Sequence, residues 1–285
     1  MEAGRAAPAT PLVKRIERLR KKVFSRAGYR AIVALLVFVL LWELGSRSKQ
    51  WLGVSLPWVG KVPPPSAVLR VWAGLLGDVG YWQSLYLSLG RVLAGFIAAM
   101  VVGIPLGLLM AVSKTFNGLS FPTFELLRPI PPLAWVPISI IFWPTQELSI
   151  AFVTFLGAFF TVVINVLGGA RAIDSRYFQA AQAMGASQWV IFRRVVLPAT
   201  LPSIVVGSSV GMGITWNVVV AAEMISGGGG SGSGGGLGFF IWNSYVGGSY
   251  EQIVVGMISI GIAGYACSEV LRTLGGYATP WLIKR

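Results

Sequence analysis

S-R-Y-F-Q-A-A-Q-A-M-G-A-S-Q-W-V-I-F-R-R-V-V-L-P-A-T-L-P, residues 175–202, separates two hydrophobic blocks of a chain that is otherwise mostly apolar. The stretch predicts two short helices. Asp174 or Ser175 suits the N-cap of the first, and Gly185 can end it in the left-handed conformation that glycine tolerates. Ser187 suits the N-cap of the second. Pro198 stands where a new helix begins, at a position that needs no backbone N–H. Helical spacing puts Tyr177, Ala181 and Met184 on one face of the first helix. It puts Trp189, Phe192 and Val196 on one face of the second, with Arg193 and Arg194 elsewhere. The reading is an amphipathic hairpin at a membrane surface. Three roles are open to it: docking a partner protein, lying on lipid headgroups, or connecting two spans.

Working outward, 55% of the 285 residues are hydrophobic and 12% are charged. A soluble domain carries about 25% charged residues. The apolar residues fall in blocks near the roughly 20 residues that cross a bilayer. The fold class is therefore all-α, a polytopic membrane protein with six spans. A basic segment, residues 1–30, precedes a transmembrane domain over residues 31–285. The net charge of +13 is concentrated at the start, where nine of 23 basic residues precede Ala31. That bias places the N-terminus in the cytoplasm and suits anionic lipid, not nucleic acid.

A helix is expected over Leu12–Phe24, followed by a first span at Arg30–Gly45. An amphipathic helix around Ala67–Leu76 follows the prolines at 63–65. The second span covers Leu85–Val112, where Gly103 and Gly107 flank Pro105 and invite close helix contact. Ser113–Ser120 reads as a short inner loop. The third span, Pro122–Trp143, contains Pro129, Pro131, Pro132 and Pro137, too many for a regular helix. Irregular backbone at membrane depth needs cover from protein or a water-filled cavity, so this segment is a candidate pathway lining. The fourth span is Leu148–Leu167. The fifth is Leu201–Ile225, with Gly207 and Gly211 as a second small-residue pair. Residues 226–238 have flexible-linker composition, native or inserted. The sixth span is Ile253–Leu274. Lys and Arg in the flanking loops then put both termini in the cytoplasm.

The chain carries no phosphate-binding G-x-x-x-x-G-K-[ST] loop, no histidine and one cysteine, Cys267. Hydrolysis of ATP, a metal site and a cofactor site within this chain are not expected, and neither is enzymatic activity. Intramembrane charges are few. Glu125 with Arg128, and Glu269 with Arg272, have the spacing of pairs on one helix face. Glu223 has no basic neighbour at helical spacing, which leaves a structural, gating or pathway role. The pathway candidates are Arg128, Pro131, Pro132, Trp135, Trp216 and Glu223. Arg91 and Arg128 are candidate anion contacts or interface-snorkelling side chains.

Gln179-Ala180-Ala181, three residues, Gly185, nine residues, then Val195-Val196-Leu197-Pro198 resembles E-A-A-x3-G-x9-I-x-L-P. That is the cytoplasmic-loop pattern of ABC importer membrane subunits. Gln179 stands where the pattern has Glu, which removes a charge, and Val195 stands where it has Ile. S-L-G-R-V-L-A-G-F with G-I-P-L-G-L (88–108), L-R-P-I-P-P-L-A-W-V-P (127–137) and A-E-M-I-S (222–226) with G-L-G (236–238) resemble the nitrate, bicarbonate, sulfonate and taurine branch. The likeness covers about residues 65–275. It implies a type I importer permease fold in a bacterial inner membrane. It also implies a second permease subunit, two cytoplasmic ATPase subunits that hold ATP and Mg, and an external binding protein delivering a small anion. The hairpin 175–198 would couple to the ATPases through Gln179, Ala180, Ala181, Gly185, Leu197 and Pro198. The alternative is a stand-alone secondary transporter or channel, which calls for inverted repeats and ion-coupling charges.

Overall fold

The computed structural model of the chain describes residues 26–53, 57, 59–226 and 235–282. The helix expected over Leu12–Phe24, the basic segment up to residue 25, residues 227–234 and residues 283–285 lie outside them. Among the described residues every regular element is helical. The chain divides into two compact units, Met1–Val71 and Trp72–Arg285.

The first unit holds α1 (Arg26–Ser46), the short α2 (Ser48–Leu52) and the start of α3 (Pro65–Leu75). Helix α3 begins on Pro65, whose missing N–H costs nothing in a first turn. Its next N–H, that of Ser66, donates to Glu43 Oε2 at 3.0 Å, and the Ser66 hydroxyl donates to Glu43 Oε1 at 2.8 Å. Arg47 closes the group from one turn on, at 2.7 Å from Glu43 Oε1. The one acid of α1 therefore caps another helix.

The second unit contains α4 (Val79–Val112), α5 (Lys114–Leu127), α6 (Val136–Phe142), α7 (Gln146–Arg171), α8 (Ser175–Ala183), α9 (Gln188–Ile191), α10 (Leu197–Ile225), α11 (Leu237–Val246) and α12 (Tyr250–Ala278). Among the described residues four helical runs are long and apolar enough to cross a membrane: 79–112, 146–171, 188–225 and 250–278. The bent pair formed by α5 and residues 132–142 makes a fifth, and Ile32–Ser46 is a shorter apolar stretch.

Helix α7 is the centre. A Cβ at Gly95 would lie 2.7 Å from Thr154, one at Gly103 3.2 Å from Val162, and one at Gly107 2.9 Å from the Val163 carbonyl. Positions rise together on both helices, so α4 and α7 run parallel. On the other side Gly211 meets Ala158 and Gly207 meets Asn165, so α10 runs antiparallel to α7. Both small-residue pairs expected from the sequence thus sit at helix seams. In lipid such seams depend on van der Waals fit, because lipid tails remove the hydrophobic drive between helices. Thr154, Thr200, Ser208 and Thr215 turn their hydroxyls onto carbonyls four residues back, which leaves these polar groups satisfied without water.

Three local readings are corrected. Ser113–Ser120 is not a loop: Ser113 ends α4, with its N–H on the Leu109 carbonyl, and its hydroxyl accepts the Phe116 N–H at 3.2 Å to start α5. One extended residue does the work of the expected loop. Pro198 stands in the first turn of α10, as expected, but α10 is continuous with the helix before it. Residues 192–196 form a π turn in which the Leu197 N–H bonds the Phe192 carbonyl. The slip in register comes just before the residue that lacks an N–H, and the helix runs on from 188 to 225. The hairpin face is also divided. Ala181 is buried, whereas Tyr177 and Met184 are exposed. Helix α11 was not expected at all.

Gly107→Leu should open the α4–α7 seam and cost about 1–3 kcal/mol, the usual range for overpacking. A fall of the thermal midpoint in detergent, with Gly118→Leu unchanged as the control in open space, is the expected result.

Candidate functional site

Three features combine unusual chemistry with defined position: one lies half-way along the bundle and the other two towards its opposite ends. The first is the break between α5 and α6. The pair bends by 87°. Pro129, Pro131 and Pro132 bring no N–H to any helix there, so the chain passes through a short 3-10 turn, Pro132–Trp135, before α6. Residues 128–131 are exposed along this bend. Beside it lies a cavity of about 360 Å³ lined by Arg128, Pro132, Leu156, Gly157, Phe160, Thr161, Ile164 and Ile214. Residues 156–164 are the middle of α7, so the cavity lies about half-way along the bundle. Arg128 is 45% exposed there and pairs with Glu125 at 2.8 Å. An arginine at the centre of a span costs on the order of 2.5–3.5 kcal/mol on insertion scales. Broken backbone carries a further penalty if it faces lipid. This face therefore requires protein or water against it. Trp135 stands beside the break, edge-on to Phe152 at 6.4 Å.

The second feature is a buried ion cluster. Arg91 of α4 is 5% exposed, and Glu223 of α10 is fully buried. Arg91 Nη1 donates to Glu223 Oε1 at 2.9 Å and Nε to Glu147 Oε2 at 2.8 Å; Nη2 also bonds Glu147. The Ser88 hydroxyl donates to Glu223 and accepts the Leu237 N–H, and Glu223 Oε2 accepts the Gly238 N–H. A Cβ at Gly236 or Gly238 would overlap Glu223 or its helix, so the backbone enters α11 only as glycine. The acid without a basic neighbour on its own helix has one on another. Arg91 is committed to two carboxylates and is not an anion contact. Trp216 is likewise closed off, 2% exposed within the core formed by Val92, Phe96, Val153 and Val219. The structure thus places Trp216 and Glu223 inside the helix packing and leaves Arg128 and Pro131 at the open break, with Trp135 half-buried between the break and the core around Trp216.

The third feature is the hairpin. Asp174 accepts the Arg176 N–H at 2.9 Å, Gly185 has φ +74°, and Ser187 accepts the Val190 N–H at 3.4 Å. Ala181 and Ile191 are buried, and Phe178 and Phe192 pack towards Val166, Val196 and Ile204. Outward stand Gln179, Ala180 and Gly185, with Leu197 and Pro198 half-buried behind them. Tyr177, Met184 and Trp189 are 65%, 80% and 67% exposed. Trp189 is held by stacking on Phe192 at 5.7 Å.

The family model of the binding-protein-dependent transport system inner membrane component matches residues 103–284. The chain belongs to this family. The permease is 38% identical over 247 residues to a putative ABC transporter permease protein of Methanocaldococcus jannaschii, covering 85% of this chain and 88% of that one. It is 32% identical to the nitrate import permease protein NrtB of Synechocystis, over 90% of this chain and 92% of the relative. It is 31% identical to the taurine transport system permease protein TauC of Escherichia coli, over 90% and 91%. In fold it is similar to a chain of the MetNI methionine ABC transporter, with a TM-score of 0.57 and 21% identity over 71% of this permease and 99% of that chain. The all-α, type I importer permease fold expected from the resemblance is the fold observed.

The ion cluster makes a graded prediction. Arg91→Met strands a fully buried carboxylate and should cost about 3–5 kcal/mol. Glu147→Gln removes a half-exposed partner and should cost about 1 kcal/mol or less. Arg91→Met with Glu223→Gln should recover part of the loss. Unfolding midpoints of the four proteins in one detergent check the order; equal losses for Arg91→Met and Glu147→Gln would contradict it.

Proposed function

We propose that this permease is the membrane-spanning subunit of an ATP-driven importer for a small anion of the nitrate, bicarbonate or sulfonate type. An external binding protein delivers the anion, and two cytoplasmic ATPase subunits hold ATP and Mg. A second permease subunit, a copy of this chain, faces the break between α5 and α6. The pathway runs along that face, past Arg128, Pro131, Pro132 and Trp135. Both termini are cytoplasmic, in the inner membrane.

The observation that carries this reading is the hairpin. It exposes Tyr177, Met184 and Trp189 on an otherwise well-anchored element. Large exposed apolar side chains on an anchored element suit a protein groove, and Trp189, stacked on Phe192, loses little entropy on docking. Behind them the helix continues without interruption from residue 188 to 225. Motion imposed on the hairpin therefore reaches the spans. The names of the relatives, nitrate import and taurine transport permeases among them, support the substrate class. Gln179 contributes an exposed amide where the family pattern has an acid, so this grip rests on apolar contact and hydrogen bonding.

Trp189→Ser should weaken retention of the ATPase subunits roughly thirtyfold, the loss of one aromatic anchor worth about 2 kcal/mol. The permease itself should still reach the membrane in normal amounts. Co-purification of the subunits, followed by ATP hydrolysis stimulated by loaded binding protein, measures both. If no ATPase subunit binds even the unaltered chain, the proposal fails.

A further inference from the structure

The cavity beside the break carries a single charged side chain, Arg128, in a wall that includes Pro132, Leu156, Phe160, Thr161 and Ile214. Only one guanidinium donor is engaged: Nη1 bonds Glu125 Oε1 at 2.8 Å. Among the described residues Nε and Nη2 meet no acceptor, and Glu125 has no second partner. Arg91 is the contrast, with Nε, Nη1 and Nη2 all taken by carboxylates. The two arginines within the bundle thus differ in what they have left to offer.

We propose that Arg128 is the substrate-anion contact half-way through the permease, and that Glu125 is its displaceable resident carboxylate. This deepens the pathway reading above and rests on it. With no anion bound, the pair is neutral, so an empty site does not leave a bare charge at membrane depth. The free Nε–Nη2 edge is the planar fork that matches two oxygens of an oxyanion or a sulfonate. Glu125 is 43% exposed and lies one turn back on α5, free to swing aside as the anion takes over Arg128. A volume of about 360 Å³ admits a small anion, and Leu156, Phe160 and Ile214 offer an apolar wall to a short alkyl tail. A cation meets a like charge and a carboxylate that is already paired. Glu125 consequently sets the threshold: a bound anion must compete with a tethered one.

Cys267 is the only cysteine of the chain, so Thr161→Cys on a Cys267→Ser background puts the one thiol in the cavity wall. The assembled permease–ATPase complex in lipid vesicles is treated with two methanethiosulfonates of similar size, one sulfonatoethyl and one trimethylammonioethyl. Each labelling rate is divided by that of a free thiol. The anionic reagent should label roughly tenfold faster than the cationic one. The preference should vanish in Arg128→Gln, persist in Arg128→Lys and rise in Glu125→Gln. Nitrate or ethanesulfonate should slow the labelling, except in Arg128→Gln. If Arg128→Gln does not assemble, Glu125→Gln still decides: a preference that does not rise there overturns the anion site. Equal rates for both reagents overturn the anion site and leave the pathway standing. No labelling by either reagent overturns both.

Discussion

The architecture depends on how closely two helices approach α7. Hydrocarbon gives packed helices no hydrophobic advantage over separated ones, so their attraction comes from fit. Gly95, Gly103 and Gly107 let α4 approach on one side, and Gly207 and Gly211 let α10 approach on the other. With both seams closed, Arg91, Glu147 and Glu223 arrive at one level, and a triad of charges becomes tolerable where a lone charge would not be. The seams therefore come first in the order of causes. The ion cluster is possible because the glycines have already removed the space between the backbones. In turn it fixes the entry to α11 through Ser88 and Glu223.

What was readable from the chain was local. Asp174, Ser187 and Gly185 act within a few residues of themselves, and the caps and the left-handed glycine are where those residue types require them. The glycine pairs are legible because a repeat of four on a helix has only one geometric meaning. Ser113 misled for the same local reason. S-K-T-F-N-G-L-S has the composition of a loop, yet a serine that ends one helix and caps the next leaves no loop to form. Helix α11 was hidden by the glycine run before it. The partner of Glu223 was out of reach because Arg91 lies on another helix, and spacing along one helix cannot reveal it. A cross-helix signal did exist: each charge sits inside an apolar run, and neither has a local counter-ion.

The two intramembrane arginines illustrate how context assigns a role to the same side chain. Arg91 lies where three helices converge, and its donors are used by groups that packing has fixed in place. Arg128 lies where the chain is forced out of helical geometry by prolines, and its surroundings are open on one side. The proline-rich break thus does two things at once. It turns the backbone by 87°, and it keeps a guanidinium from being enclosed by the helices that follow. A regular helix over the same residues would have carried Arg128 into a lipid-facing or packed position.

The π turn at residues 192–196 has a mechanical consequence. By letting the helix pass through Pro198 without a break, it makes residues 188–225 one rod. At 1.5 Å per residue such a rod is about 57 Å long. A tilt of roughly 5° about its hairpin end would carry its other end through about 5 Å, as far as one helical turn is tall. That other end holds Glu223. A small torque at the surface is thus magnified along the rod into a stroke about one helical turn high at the level of the buried charges.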